Sequence, residues 1–170
     1  MTVTVRALGL IFVLVGAVAT PTAQPKPDAA KVKQQLIGSY RLVSFVQFDE
    51  KGVERKTNYT VGQISYDAAG RMSAQLMASD RPRIPQGGQA TATDAQRLAA
   101  LQGYIAYFGR YEIDAERGVV THHVEGSITQ NMLGQAMPRW YELSADGQTL
   151  YLMTKNGDRV TGRLRWDRHK

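Results

Sequence analysis

Cysteine is absent from this chain of 170 residues. That excludes disulfide staples and also a lipid anchor, which needs a Cys at the processing site. Any metal site would fall to carboxylates and the 3 histidines. His122 and His123 are adjacent, so on a strand they point to opposite faces, and His169 lies next to the C-terminus. No metal is therefore expected. The Gly-x-Ser-x-Gly elbow, the His-Glu-x-x-His pair and the glycine-rich phosphate loop are all missing, so no cofactor is expected either. Proline is scarce, with 6 residues against 16 glycines. That excludes a proline-rich tail and fits a chain of many tight turns.

Long apolar runs are also missing, with one exception. Residues 7–19 (ALGLIFVLVGAVA) are uncharged and apolar, but fall short of the roughly 20 residues that span a bilayer. Arg6 precedes the run, Thr20-Pro21 follows it, and Ala17 and Ala19 supply small residues at −3 and −1. This is the pattern of an export signal over 1–19, cleaved after Ala19 or, as the alternative, after Ala23. An uncleaved N-terminal anchor is the competing reading. Residues 20–33 carry Pro21, Pro25 and Pro27 without apolar periodicity and read as a flexible leader. Residues 34–170 then form one domain, whose core must suffice without disulfides. A periplasmic or secreted location follows from this combination, with no stable membrane anchor after cleavage.

The composition, 43% hydrophobic and 21% charged, is that of a globular domain. The net charge of +6 concentrates at the C-terminus in Arg159, Arg163, Arg165, Arg168 and Lys170. These charges alternate along a strand pattern, which reads as a solvated face; together with export, this argues against a nucleic-acid partner.

Short β-type runs recur at 37–48, 60–66, 71–77, 104–113, 119–125, 137–143, 150–154 and 159–166. Tight-turn residues separate them: Asp67 to Gly70, Glu116 to Gly118, Ala145 to Gly147, and Asn156-Gly157, the last suited to a type I′ hairpin. Hairpins make neighbours antiparallel. Residues 79–89 form a long polar loop, and 93–102 read as a helix with Thr93 as N-cap and Gly103 at its end. The expected fold is all-β, an eight-stranded antiparallel up-and-down barrel with one helical excursion acting as a lid at the mouth.

Leu36-Ile37-Gly38-Ser39-Tyr40-Arg41 resembles the opening strand of the bacterial and fungal lipocalin-like domain family. The stretches Gly62 to Asp67, Gly70 to Ser73, Arg81-Pro82, Tyr104 to Tyr111, Val120 to Val124, Gly126-Ser127, Asn131, Gly134 and Arg139-Trp140-Tyr141 are similar to it in the same order. The resemblance implies a calycin-type barrel with a cup for small, often apolar molecules; Tyr40 stands where lipocalins carry Trp. A lipocalin-like closure would place an Arg of the last strand, Arg163 or Arg165, over the Tyr40 ring.

Strand alternation puts Tyr107 and Tyr111 on the apolar face of one strand and His122 on that of the next. Arg139 and Tyr141 take the matching face of a third strand, and Tyr66 joins from the second hairpin. Tyr66, Tyr107, Tyr111, His122, Arg139 and Tyr141 are thus the candidate ligand-binding set. Arg139 is its one charged member, favouring an acidic or carbonyl-bearing ligand with an apolar or amphipathic body. A cofactor-independent isomerase or cyclase using His122 with Tyr107 or Tyr111 is the alternative. A filled barrel acting through its surface in the envelope is the third. The oligomeric state is left open.

Overall fold

A computed structural model describes residues 28–84 and 87–170. The expected signal segment, 1–19, and the leader up to residue 27 lie outside the described residues. The strands are β1 (Gly38–Phe48), β2 (Glu54–Lys56), β3 (Tyr59–Tyr66), β4 (Arg71–Ala78), β5 (Tyr104–Asp114), β6 (Val119–Ser127), β7 (Ala136–Leu143), β8 (Thr149–Asn156) and β9 (Arg159–Arg168). Helix α1 (Ala29–Leu36) precedes them, and α2 (Asp94–Gln102) sits between β4 and β5.

β1 pairs antiparallel with β3, each strand from β3 to β8 pairs antiparallel with the next, and β9 returns to pair with β1. Eight strands therefore close a barrel, which leaves no long free edge. The ninth, β2, lies outside the closure and pairs with the end of β1, Glu54 opposite Phe48 and Lys56 opposite Val46. Its three residues are all exposed, so it has no alternating apolar signal by which the sequence could show it.

The interior is set by period-two burial. Tyr40 and Leu42 of β1, Ile64 and Tyr66 of β3, and Met72, Ala74 and Leu76 of β4 share one core with Tyr107, Tyr111, Val120, Val124, Leu150, Leu152 and Trp166. A bulge between Leu42 and Ser44 shifts the β1 register against β9, so that Phe45 continues the inner face. The β8–β9 hairpin differs from the expected I′ turn. Asn156 pairs with Arg159, so the loop is Gly157-Asp158, and positive φ falls on Gly157 but not on Asp158, the II′ pattern.

One end of the barrel is sealed. Tyr40 is fully buried and its hydroxyl donates to the Leu36 carbonyl at 3.0 Å. The Arg168 guanidinium lies 4.6 Å from the ring centre and donates to the Tyr40 oxygen, to Ile37 O at 2.7 Å and to Gly147 O at 2.9 Å. The expectation that Arg163 or Arg165 would cover Tyr40 is thus corrected to Arg168. Leu164 and Trp166 face inward, so 163 and 165 face outward and the next inward Arg is 168. Burial raises the Tyr40 phenol above its ordinary pKa against the pull of Arg168. The segment expected to be a leader through residue 33 is helical from Ala29. Asp28 caps α1 by accepting from Ala30 N at 2.9 Å, Lys33 lies over the Tyr111 ring, and Leu36 is buried in the core.

Candidate binding cup

The opposite half of the barrel is hollow. A cavity of about 330 Å³ is walled by Phe45, Ile64, Ala74, Leu76, Ile105, Leu152, Leu164 and Trp166, with Thr129 and Met132 bordering it from the β6–β7 connection. Two polar side chains of the expected set line it, Tyr107 and Arg139. Its volume is at the small end of the roughly 300–1,000 Å³ of ligand pockets.

Arg139 projects from β7 opposite Val120 of β6. It donates to Pro138 O at 2.9 Å and lies 3.5 Å from the Met137 sulfur. Among the described residues no carboxylate pairs with it. A half-buried guanidinium on an apolar wall, without a counter-charge, is available to an anion. Trp166 lines the same wall. Its indole is 1% exposed, and Nε1 has no hydrogen-bond partner among the described residues, an exception among buried polar groups.

Below the cavity floor lies a fully buried relay. His122 accepts or donates at both ring nitrogens: Nε2 meets the Tyr66 hydroxyl at 2.7 Å and Nδ1 meets the Tyr107 hydroxyl at 3.0 Å. Burial, helped by the charges of Arg139 and His123, pushes the His122 pKa down to about 3, so the imidazole is neutral at ordinary pH. Burial likewise raises the Tyr66 phenol well above its ordinary value. It raises Tyr107 too, there against the opposing pull of Arg139.

The structure therefore splits the expected set. Tyr107 and Arg139 reach the cavity; His122 and Tyr66 stand behind it, in contact with it through Tyr107. Tyr111 turns to the sealed end, where its hydroxyl donates to Asp67 O at 2.8 Å and its ring meets Tyr66 edge-on at 5.0 Å. Tyr141 packs against the core without lining the cavity; burial and the Asp114 charge raise its phenol. Trp166, Phe45 and Met132 are lining residues that sequence reasoning missed. The alternation of Leu164 with Trp166 could have found the first, whereas the β1 bulge hid the second.

The excursion between β4 and β5 differs from a lid. Helix α2 has the expected Thr93 cap, a full capping box with Gln96. It stands beside the mouth, held by Arg81 Nε donating to Ala100 O at 3.0 Å and by Tyr59 donating to Gln102 O at 3.2 Å. The described residues of the excursion do not line the cavity. No group of three or more His, Asp or Glu side chains gathers as a metal-ligand set among the described residues. His123, on the outer face, lies 3.3 Å from Glu112 instead.

A redesigned β-barrel of solved structure is similar over 81% of this chain and 95% of its own, at 10% identity and a TM-score of 0.41; that likeness is too distant to argue from. No curated protein matches the chain. The sequence model of the lipocalin-like domain matches residues 37–169, from the first barrel strand to just past the last. Closed antiparallel barrel, sealed end and family match agree, and the chain belongs to the lipocalin-like domain family.

Proposed function

We propose that this protein, once exported, binds a small molecule with an apolar body and an acidic or carbonyl head in the barrel cup. The observation that carries the reading is Arg139, a guanidinium on the wall of an apolar cavity with no acidic partner among the described residues. The hydroxyl of Tyr107 supports it. Tyr66 meets Nε2 at 2.7 Å and Tyr107 meets Nδ1 at 3.0 Å, and which nitrogen carries the proton follows from where each hydroxyl proton can go. Tyr66 has no other hydrogen-bond partner among the described residues, so its proton goes to Nε2. Nδ1–H then donates to the Tyr107 oxygen, which frees the Tyr107 proton for the cup. Arg139 and Tyr107 thus offer donors, as an oxygen-acceptor head requires. The small volume fits one ring system or a short acyl chain better than a long lipid. His122, neutral and hydrogen-bonded at both nitrogens, works here as an anchor for two hydroxyls rather than as an acid or base.

Native mass spectrometry of protein purified from its own host tests the reading. A co-purifying carboxylate or carbonyl compound, released by organic solvent, is the expected result. Ligand-free protein whose melting temperature no aromatic or short-chain carboxylate raises would sink it. Export is read from residues 1–19 and tested separately: the mature chain should begin at Thr20 or Gln24, and an intact Met1 in the membrane fraction reverses it.

A further inference from the structure

The cup is not separated from solvent by a continuous ladder. β1 pairs with β3 only from Gly38 to Arg41, and farther along it pairs with β2 instead, at Val46 to Phe48. β3 meanwhile continues to Tyr59 paired with β4 alone. Between the two ladders the barrel wall has a seam, filled by side chains and not by hydrogen bonds. Phe45 and Tyr59 fill it, their ring centres 6.1 Å apart and tilted by 42°. Thr57 ties the upper edge, its backbone N–H and hydroxyl donating to Phe45 O at 3.1 and 3.0 Å.

Outside the seam lies a second recess of about 370 Å³, lined by Phe45, Tyr59, Lys56, Tyr151, Arg163 and Arg165 among others. Phe45 borders both this recess and the cup, so one ring stands between them. The outer recess is cationic. Arg163 has Glu54 at 3.8 Å, Arg165 has Asp167 at 3.3 Å, and Lys56 has no ion-pair partner among the described residues. Half the Arg163 side chain remains exposed, at 48%.

We propose that this recess is a docking vestibule for the acidic ligand of the cup, and that the ligand passes inward through the β1–β3 seam as Phe45 swings aside. The proposal rests on the cup reading above. The vestibule gathers an anion over an aromatic floor, and Arg139 holds it once inside. The rival route is the mouth, where β7 and β8 cease to pair beyond Trp140 and Met153.

The test is stopped-flow binding of anilinonaphthalene sulfonate, an aromatic anion whose fluorescence rises in apolar sites. Lys56→Glu combined with Arg163→Glu, both at exposed positions, should slow association by about tenfold at low salt. The gap should close as salt is added, as for a steered encounter. Phe45→Ala should speed association severalfold, whereas loss of a mere wall contact would speed dissociation alone. If Arg139→Leu weakens the probe but neither vestibule change alters its association rate, the seam is not the route and the proposal is overturned. If the native protein fails to bind the probe and every smaller aromatic carboxylate, the cup reading falls first and the vestibule with it.

Discussion

The two ends of this barrel use the same kinds of residue to opposite effect. At the sealed end an arginine and a tyrosine are fully partnered. Arg168 donates to the backbone carbonyls of Gln35, Ile37 and Gly147 and to the Tyr40 oxygen, and Tyr40 donates to Leu36 O. In the hollow half an arginine and a tryptophan are left wanting: Arg139 has no carboxylate and Trp166 Nε1 no acceptor among the described residues. Satisfied polar groups hold the fold, and unsatisfied ones at a cavity wall mark where a ligand completes the network. The His122 relay joins the two regimes, its Tyr66 side closed and its Tyr107 side facing the cup.

The comparison breaks most visibly at Tyr40. Tyr40→Ala should lose about 3–5 kcal/mol in denaturant melts, the scale of burying and then deleting a large aromatic ring. Binding at the cup should survive in the folded fraction. A loss below about 1 kcal/mol would mean that the sealed end does not hold the barrel.

Next in size is the acid response of the relay. His122 has a folded pKa of about 3, below the unfolded value of roughly 6.5. The unfolded chain therefore binds a proton that the folded one refuses, so stability is full above the unfolded pKa and falls as pH drops toward the folded one. Between pH 6.5 and 4 this one group should remove about 3 kcal/mol. His122→Gln should lose stability at neutral pH yet show a shallower acid slope. Parallel slopes for the two proteins would show that His122 is not the group refusing the proton.

Much of the barrel was legible in the sequence, because alternation and turn residues act locally. The eight barrel strands, the capped helix α2 and the inward faces of β5 to β7 all follow from period-two or period-3.6 patterns. What was not legible depends on long-range register. β2 has three exposed charged or polar residues and exists only because β1 offers it an edge. The bulge at Leu42 and Ser44 moves Phe45 to the inner face against simple alternation. The Arg over Tyr40 is set by which β9 residue lands opposite it, and parity with Leu164 and Trp166 would have excluded 163 and 165. Of the candidate site, alternation reported that Tyr107, His122 and Arg139 face inward. It could not report depth along the barrel, which separates Tyr107 and Arg139 at the cup from Tyr111 and Tyr141 beneath it.

At the cup itself, Arg139→Leu should weaken a carboxylate such as naphthoate by about 1.5–3 kcal/mol, the range of hydrogen bonds to charged groups. Its effect on stability should be small, since the half-buried guanidinium has no ion-pair partner among the described residues to lose. Titration calorimetry beside thermal melts reads both. Unchanged affinity, or a destabilised fold, would place Arg139 with Arg168 among the structural arginines.

The smallest expected effect sharpens the comparison furthest, because it is made across one imidazole. Tyr66→Phe and Tyr107→Phe each delete a hydroxyl on His122, at Nε2 and Nδ1 respectively. Each leaves a buried ring nitrogen without its partner, so each should cost about 1–3 kcal/mol of stability. Their effects on binding should differ. With the tautomer proposed above, Nδ1–H still donates to Tyr107 in Tyr66→Phe and the Tyr107 proton still faces the cup, so affinity for a carbonyl-headed ligand should hold. Tyr107→Phe removes that donor and should weaken the same ligand by about 0.5–1.5 kcal/mol, the net worth of one neutral hydrogen bond. A ligand that lacks an acceptor oxygen should not distinguish the two variants. Equal losses of affinity in both would mean that the relay acts only through stability, and that the hydroxyl of Tyr107 belongs to the sealed end and not to the cup.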